Sequence, residues 1–81
     1  MEFEKYNQES FKVIRQVLNY TQQQIADICG MSRQTIHNVE NNKNATLPTI
    51  TLIGICLDRI AEEDGKANII DIIKNDYKKS D

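Results

Sequence analysis

Short amphipathic segments alternate with polar breaks along the chain, and this pattern predicts five helices. Between Glu9 and Leu18, apolar side chains recur at spacings of three and four residues, which places them on one face of a helix. Four later segments share this spacing, and their apolar residues are Ile25, Ala26, Ile28 and Cys29; Ile36 and Val39; Ile50, Ile53, Leu57 and Ile60; and Ile69, Ile70, Ile72, Ile73 and Tyr77. The predicted fold is therefore all-α and compact, with five helices.

Capping residues delimit the second and third helices closely. Thr21 is a favourable N-cap, and Gln24 three residues later completes a capping box. Gly30 ends the second helix, because glycine adopts the left-handed conformation of a helix C-terminus without steric cost. Ser32 then caps a helix from Arg33 to Glu40. Two short helices are thus expected to meet across a tight turn.

The remaining helices are bounded by similar signals. The polar run of residues 41–44 ends the third helix, and Thr46 caps a fourth helix that has Pro48 in its first turn. Gly54 lies within that helix, where we expect another helix to approach closely. After a polar break, Lys66 to Lys79 is the fifth predicted helix.

Length and composition limit what the chain does. With 81 residues, of which 40% are hydrophobic and 27% charged, residues 1–81 are expected to form one domain without a separate catalytic lobe. The apolar runs are far shorter than the roughly 18 residues of a membrane span, and the N-terminus lacks a signal peptide pattern. We therefore expect a cytoplasmic protein with no membrane partner.

Few residues suggest catalysis or metal binding. Cys29 and Cys56 lie in apolar segments, where a thiol more often fills the core than forms a disulfide or binds a metal. His37 has no second metal ligand at helical spacing, and Thr35 has no acid-base pair beside it. The sequence predicts no enzyme, no cofactor and no metal.

The net charge of −2 does not favour a nucleic-acid partner, but the charge is unevenly distributed. Residues 1–10 and 45–81 each sum to −2, whereas residues 11–44 sum to +2. A basic middle between acidic ends is suited to a local phosphate-binding face.

The third helix presents side chains that are able to bind base edges. Arg33 is able to bind guanine O6 and N7 with two bonds, and Gln34 is able to bind adenine N6 and N7. Asn38 lies on the same face as Gln34, four residues later, and His37 is placed to touch a base or a phosphate. Taken alone, such a polar face is more often simply solvated.

The motifs around this helix resemble those of the Xre/Cro-type helix-turn-helix family, which includes the lambdoid phage repressors. They are Ile14-Arg15, Thr21-Gln22-Gln23-Gln24-Ile25-Ala26, Cys29-Gly30, Ser32-Arg33-Gln34-Thr35-Ile36 and Glu40-Asn41, with Leu47, Ile50, Ile53, Gly54 and Leu57 downstream. The resemblance covers residues 10–58, a four-helix core. Asn42 replaces the usual glycine, Gly54 replaces the usual alanine, and the fifth helix does not align.

The resemblance implies that helices two and three form a helix-turn-helix that binds double-stranded DNA. Gln22, Asn41, Asn42 and Lys43 match family positions that hold the DNA backbone, and Gln23 and Ser32 are further candidate phosphate contacts. Arg15 and Glu40 match positions that form an ion pair; the alternative is two independent surface charges.

These observations favour a homodimeric transcriptional regulator that binds an inverted-repeat operator, such as a phage repressor or a restriction-modification controller. The predicted dimer interface is the fifth helix, with Ile69, Ile70, Ile72, Ile73 and Tyr77. In the alternative, this apolar stripe folds back onto helices one and four. A second hypothesis is an antitoxin-type protein whose main partner is a toxin and which also binds DNA.

Overall fold

The computed structural model describes residues 6–43 and 45–78, and this part of the chain forms five α-helices without a strand. A 3₁₀ turn at Gln8–Ser10 precedes the helices, which are α1 (Phe11–Val17), α2 (Gln22–Cys29), α3 (Arg33–Glu40), α4 (Leu47–Glu63) and α5 (Ala67–Lys78). The predicted all-α fold is confirmed. Asn44 of the predicted loop and Lys79 of the predicted fifth helix lie outside the described residues.

The predicted caps start their helices. Thr21 Oγ1 accepts from the Gln24 amide at 3.1 Å, and Gln24 Oε1 accepts from the Thr21 amide at 2.8 Å, which completes the capping box. Ser32 Oγ accepts from the Thr35 amide at 3.2 Å at the start of α3. The caps predicted from the local sequence therefore mark where α2 and α3 begin.

Helix α4 lies at the centre of the packing. Its predicted apolar stripe is buried, and α1, α2 and α5 all pack against it, while α3 packs against α2. The core side chains are Phe11, Ile14, Leu18, Ile25, Ala26, Ile36, Val39, Ile50, Ile53, Leu57, Ile60, Ala61 and Ile70. Among the described residues, no helix is both long and apolar enough to cross a membrane.

The orientation of α5 corrects part of the predicted dimer interface. Ile70 is only 1% exposed and belongs to the core of its own chain, so it is not available to a partner. Ile73 and Tyr77 are partly buried, whereas Ile69 and Ile72 are 49% and 63% exposed. The reason is helical geometry, because residues 70, 73 and 77 share the face that meets α4 and α1.

Two further expectations about apolar residues need revision. Ile28 was predicted to lie on the buried face of α2, but it is 50% exposed, while Ile25 and Ala26 are buried. Gly54 does lie at a close approach, but the neighbour is the ring of Tyr6 rather than another helix. A Cβ atom at position 54 would lie 2.3 to 2.7 Å from atoms of that ring.

Tyr6 also connects the N-terminal segment to α4 and α5. Its hydroxyl donates to Asp58 Oδ2 at 3.0 Å, and burial together with this hydrogen bond and the charge of Asp58 raises the pKa of Tyr6 to about 12. Lys74 forms an ion pair with Asp58 and lies 5.2 Å from the centre of the Tyr6 ring. These contacts place residues of three segments around one tyrosine.

We predict that Tyr6 decides whether Gly54→Ala lowers or raises the free energy of unfolding. With Tyr6 present, the added methyl group forces the ring away, and the free energy of unfolding should fall by about 1–3 kcal/mol. In a Tyr6→Ala background the clash is absent. Gly54→Ala should then raise the free energy of unfolding by up to about 1 kcal/mol, because alanine is the better helix former. Urea denaturation of the four proteins measures both effects. Equal effects in the two backgrounds would contradict the contact.

Candidate nucleic-acid interface

The turn between α2 and α3 fixes the relation of the two helices. Gly30 is left-handed, with φ of +72°, and its amide donates to the carbonyl of Ala26. The Met31 amide donates to the same carbonyl at 2.9 Å, and the extended Ser32 then starts α3. The chain therefore changes direction within three residues, held by the end of one helix and the cap of the next.

The outer face of α3, which consists of Arg33, Gln34, His37 and Asn38, lies opposite its two buried residues. Ile36 and Val39 are each 1% exposed. Arg33 and Gln34 are exposed, and His37 and Asn38 are partly exposed. Gln34 Nε2 donates to Asn38 Oδ1 at 3.0 Å, so the structure places these two side chains next to each other on one face.

The end of α3 carries the predicted backbone-contacting residues Asn41, Asn42 and Lys43, all of which are exposed. Asn41 Nδ2 donates to the carbonyl of His37 at 2.8 Å, and the Lys43 amide donates to the carbonyl of Asn38 at 2.9 Å. Asn42 has φ of +58°. This explains the departure from the family pattern, because asparagine tolerates the left-handed conformation better than other residues with a Cβ.

The other predicted backbone contacts lie at the start of α2 and α3. Gln22 Nε2 donates to Glu40 Oε1 at 3.0 Å, and Gln23 Nε2 donates to Asp27 Oδ1 at 2.9 Å. The Ser32 hydroxyl serves as the cap of α3 and lies 2.9 Å from Thr35 Oγ1. Each amide side chain has two N–H donors, so one donor of Gln22 and one of Gln23 remain for a phosphate oxygen.

Arg15 and Glu40 are brought together in a nearly buried ion pair. Arg15 Nε lies 2.6 Å from Glu40 Oε2 and Nη2 lies 3.0 Å from Oε1, with side-chain exposures of 12% for Arg15 and 3% for Glu40. Arg15 Nη1 also donates to the carbonyl of Tyr20 at 2.9 Å. Together with the bond from Gln22, this network joins α1, the loop after it, α2 and the end of α3.

Gln8 is a structural residue of this region that the sequence did not indicate. Its Nε2 donates to the carbonyl of Val39 at 2.9 Å, near the end of α3, where helix carbonyls have no partner within the helix. The residues are 31 positions apart, and nothing local in the sequence predicts the contact.

The charge of the exposed surface around α3 is set by which carboxylates are buried. Glu40 is paired with Arg15 inside the protein, whereas Arg33 and Lys43 are exposed. Asp27 is exposed on α2. Because Arg33 and Lys43 are exposed and Glu40 is paired, the surface around α3 is suited to an anionic polymer.

Within the described residues, no group of three or more His, Cys, Asp or Glu side chains is arranged to hold a metal ion.

Two short helices joined by a glycine turn, the second with a polar outer face, define a helix-turn-helix protein. A family model described as "Helix-turn-helix" matches residues 11–59. The chain therefore belongs to the Xre/Cro-type helix-turn-helix family of DNA-binding transcription regulators, as the motifs predicted. No curated protein matches it significantly. No solved structure matches it significantly either.

We predict that the Arg15 and Glu40 pair contributes to stability as a unit. Arg15→Ala and Glu40→Ala should each lower the free energy of unfolding by about 3–5 kcal/mol, because each leaves a charge buried without its partner. The double variant should lose clearly less than the sum of the two, since no charge remains stranded. Urea denaturation of the three variants tests this.

The matched control is Gln23→Ala, which removes an exposed hydrogen bond to Asp27. It should change the free energy of unfolding by no more than about 0.5 kcal/mol. Strict additivity of the two single variants would show that Arg15 and Glu40 act independently.

Proposed function

We propose that this protein is a transcriptional regulator that binds an inverted-repeat DNA operator as a homodimer. The observation that carries the proposal is the outer face of α3, whose four polar side chains project from a helix that is anchored by Ile36 and Val39. A helix about 10–12 Å across fits the major groove of B-DNA.

In this proposal the outer face of α3 reads bases. Arg33 binds a guanine through two parallel hydrogen bonds, and Gln34 binds an adenine. Asn38, which already contacts Gln34, reads the neighbouring base and holds the Gln34 amide in place. His37 contacts a base or a phosphate at the edge of the site.

The remaining predicted residues hold the DNA backbone and set the position of α3 in the groove. Gln22 and Gln23 lie in the first turn of α2, Ser32 lies at the start of α3, and Asn41, Asn42 and Lys43 follow its end. Such contacts position the protein without reading sequence. The bond from Gln22 to Glu40 supports this role, because it orients the amide from the buried side and leaves a donor outward.

The size of one chain favours two copies. Its dimensions are 29 × 28 × 21 Å, whereas the two halves of an operator recur about 34 Å apart along one face of the duplex. A second chain is therefore needed to place another α3 in the next major groove. Ile69 and Ile72 on the outer face of α5 are the exposed apolar residues that we assign to this interface, with the exposed edges of Ile73 and Tyr77 beside them.

Selection from random double-stranded DNA tests the proposed function. We expect enrichment of a short inverted repeat whose half-sites are about one helical turn apart. Enrichment of a single half-site would support DNA reading and reject the dimer, and recovery of DNA without any common sequence would reject operator recognition.

We predict that the two groups of contacts respond differently to mutation. Arg33→Ala, Gln34→Ala and Asn38→Ala should each relax discrimination at a defined base position by about 1–3 kcal/mol and leave the stability nearly unchanged. Lys43→Ala should instead weaken binding to all sequences alike and reduce the salt dependence of binding, because it removes a phosphate contact. Titrations against operator variants at several salt concentrations measure both the base discrimination and the salt dependence of binding. If Lys43→Ala instead lost affinity only for operators with a particular base, Lys43 would be a base-reading residue and not a phosphate contact.

We predict that Ile72→Asp yields a folded monomer with much weaker operator binding, because the residue is exposed in one chain and would place a charge in the interface. Ile70→Asp should instead unfold the protein, since its side chain is in the core. Leu52→Asp, at an exposed apolar position on α4, is the matched control and should remain dimeric. Sedimentation gives the mass of each variant. If the unmodified protein sediments only as a monomer at micromolar concentration, the dimer is wrong.

A further inference from the structure

Residues 6–10, which we call the N-terminal bridge, contact two parts of the fold that lie far from them in the sequence. At the start of the bridge, the Tyr6 hydroxyl donates to Asp58 Oδ2 of α4 at 3.0 Å. Further along, Gln8 Nε2 donates at 2.9 Å to the carbonyl of Val39 in the last turn of α3. The 3₁₀ turn of the bridge packs against both α3 and α5, whose other main connection runs through α2 and α4.

Hydrogen bonds within the N-terminal bridge hold it in one shape. Asn7 Oδ1 accepts from the Glu9 amide at 2.9 Å. The Asn7 carbonyl accepts from the amide and the hydroxyl of Ser10, at 3.0 and 2.7 Å. Ser10 is only 1% exposed, so this end of the bridge is fixed in the core. Because the backbone is bonded in this way, a displacement of Tyr6 is expected to shift Gln8 as well.

The carbonyl that Gln8 contacts also supports the turn after α3. The Val39 carbonyl accepts a second hydrogen bond, from the Asn42 amide at 3.2 Å. Asn42 has the left-handed φ of +58°, and it lines a cavity of about 390 Å³ together with Gln8 and Tyr6. Gln8 is thus placed to hold Asn42 from the protein side, while the Asn42 side chain remains exposed.

We propose that the N-terminal bridge positions the turn after α3 on the DNA backbone and couples this turn to α5, with Gln8 as the positioning residue. This role depends on the proposed function, in which Asn41, Asn42 and Lys43 hold the phosphates. Gln8 itself touches no DNA and acts through the Val39 carbonyl.

The other end of the N-terminal bridge supplies the coupling. Tyr6 is bonded to Asp58, and Asp58 forms an ion pair with Lys74 of α5. A second chain that fixes α5 therefore also restricts the bridge and the turn after α3. Such coupling is reciprocal, so DNA held at the turn favours association at α5 by the same factor.

Amide hydrogen exchange in the full-length chain, without DNA, tests the positioning role. Gln8→Met removes the N–H donor at nearly the same side-chain length. The Asn42 and Lys43 amides should then exchange about two- to tenfold faster, the factor that corresponds to one hydrogen bond, when exchange is measured relative to the core amide of Ile53. Gln8→Lys, which restores a donor, should recover most of the protection. The matched control is Gln16→Met, at an exposed position of α1, and it should leave both amides unchanged.

Two results of this experiment would overturn the positioning role of Gln8. One is equal acceleration of all amides in Gln8→Met, which would make Gln8 a residue of general stability only. The other is unchanged exchange of the Asn42 and Lys43 amides.

Tyr6→Phe tests the coupling, because it removes the hydroxyl bond to Asp58 and keeps the ring beside Gly54. It should raise the exchange of the Asn42 and Lys43 amides, which lie at the other end of the connection. In the Gln8→Met chain the same substitution should add nothing, since the connection is already broken. The same increase in both backgrounds, or no increase in either, would overturn the coupling.

Binding to a duplex of arbitrary sequence at low salt separates this proposal from the proposed function. Gln8→Met should weaken binding to every sequence alike, by about two- to tenfold, because the turn that it loosens holds phosphates. If the unmodified chain binds no duplex, the proposed function is wrong and the bridge has no role on DNA, whereas the exchange experiment still decides the coupling. If the unmodified and Gln8→Met chains bind duplex equally although exchange at the turn is faster, the positioning role alone is wrong.

Discussion

The geometry of the helix-turn-helix depends on the buried carboxylate of Glu40. At 3% exposure it accepts hydrogen bonds from Arg15 and Gln22, and Arg15 in turn donates to the carbonyl of Tyr20. A buried charge is tolerated only with its partners in place, so displacement of α1, α2 or the end of α3 leaves an ion or a dipole unsatisfied. The hydrophobic core alone allows such displacements at lower cost, because apolar contacts are not directional. The ion pair therefore adds orientation to a core that supplies most of the stability.

Helix α4 combines apolar packing against other helices with polar contacts to the N-terminal segment and α5. It packs against α1, α2 and α5 through its buried stripe, while Gly54 admits the Tyr6 ring and Asp58 joins Tyr6 to Lys74. The outer face of α3 takes no part in these contacts, since α3 is anchored by Ile36 and Val39 and by the bond from Gln8 to the Val39 carbonyl. Polar side chains on that face are consequently free to vary without loss of core packing, which suits a scaffold that presents a specificity surface.

Local signals in the sequence predicted most of the helix boundaries, because caps and glycine turns act within a few residues. Thr21 and Gly30 cap the two ends of α2, and Ser32 caps the start of α3. Contacts between residues that are far apart in the sequence were harder to predict from it. Five apolar residues on α5 cover more than one face, so periodicity could not decide that Ile70 is buried and Ile72 exposed. The contact of Tyr6 with Gly54 joins segments whose spacing in the sequence carries no periodic signal. The ion pair was expected only through the family resemblance.

Hydrogen bonds among the predicted DNA-contacting residues bear on how the site would bind. Gln34 contacts Asn38, Gln22 contacts Glu40, and Asn41 contacts the His37 carbonyl while the chain is alone. These bonds restrict side chains that would otherwise lose rotational freedom on binding, so part of the entropic cost is met on folding. They also leave donors unused, because each amide has a second N–H group. Arg33 and Lys43, which carry the exposed positive charge near α3, have long side chains with many rotamers. The amides are therefore suited to geometric selection of bases and backbone register, and the charged side chains to initial attraction of the duplex.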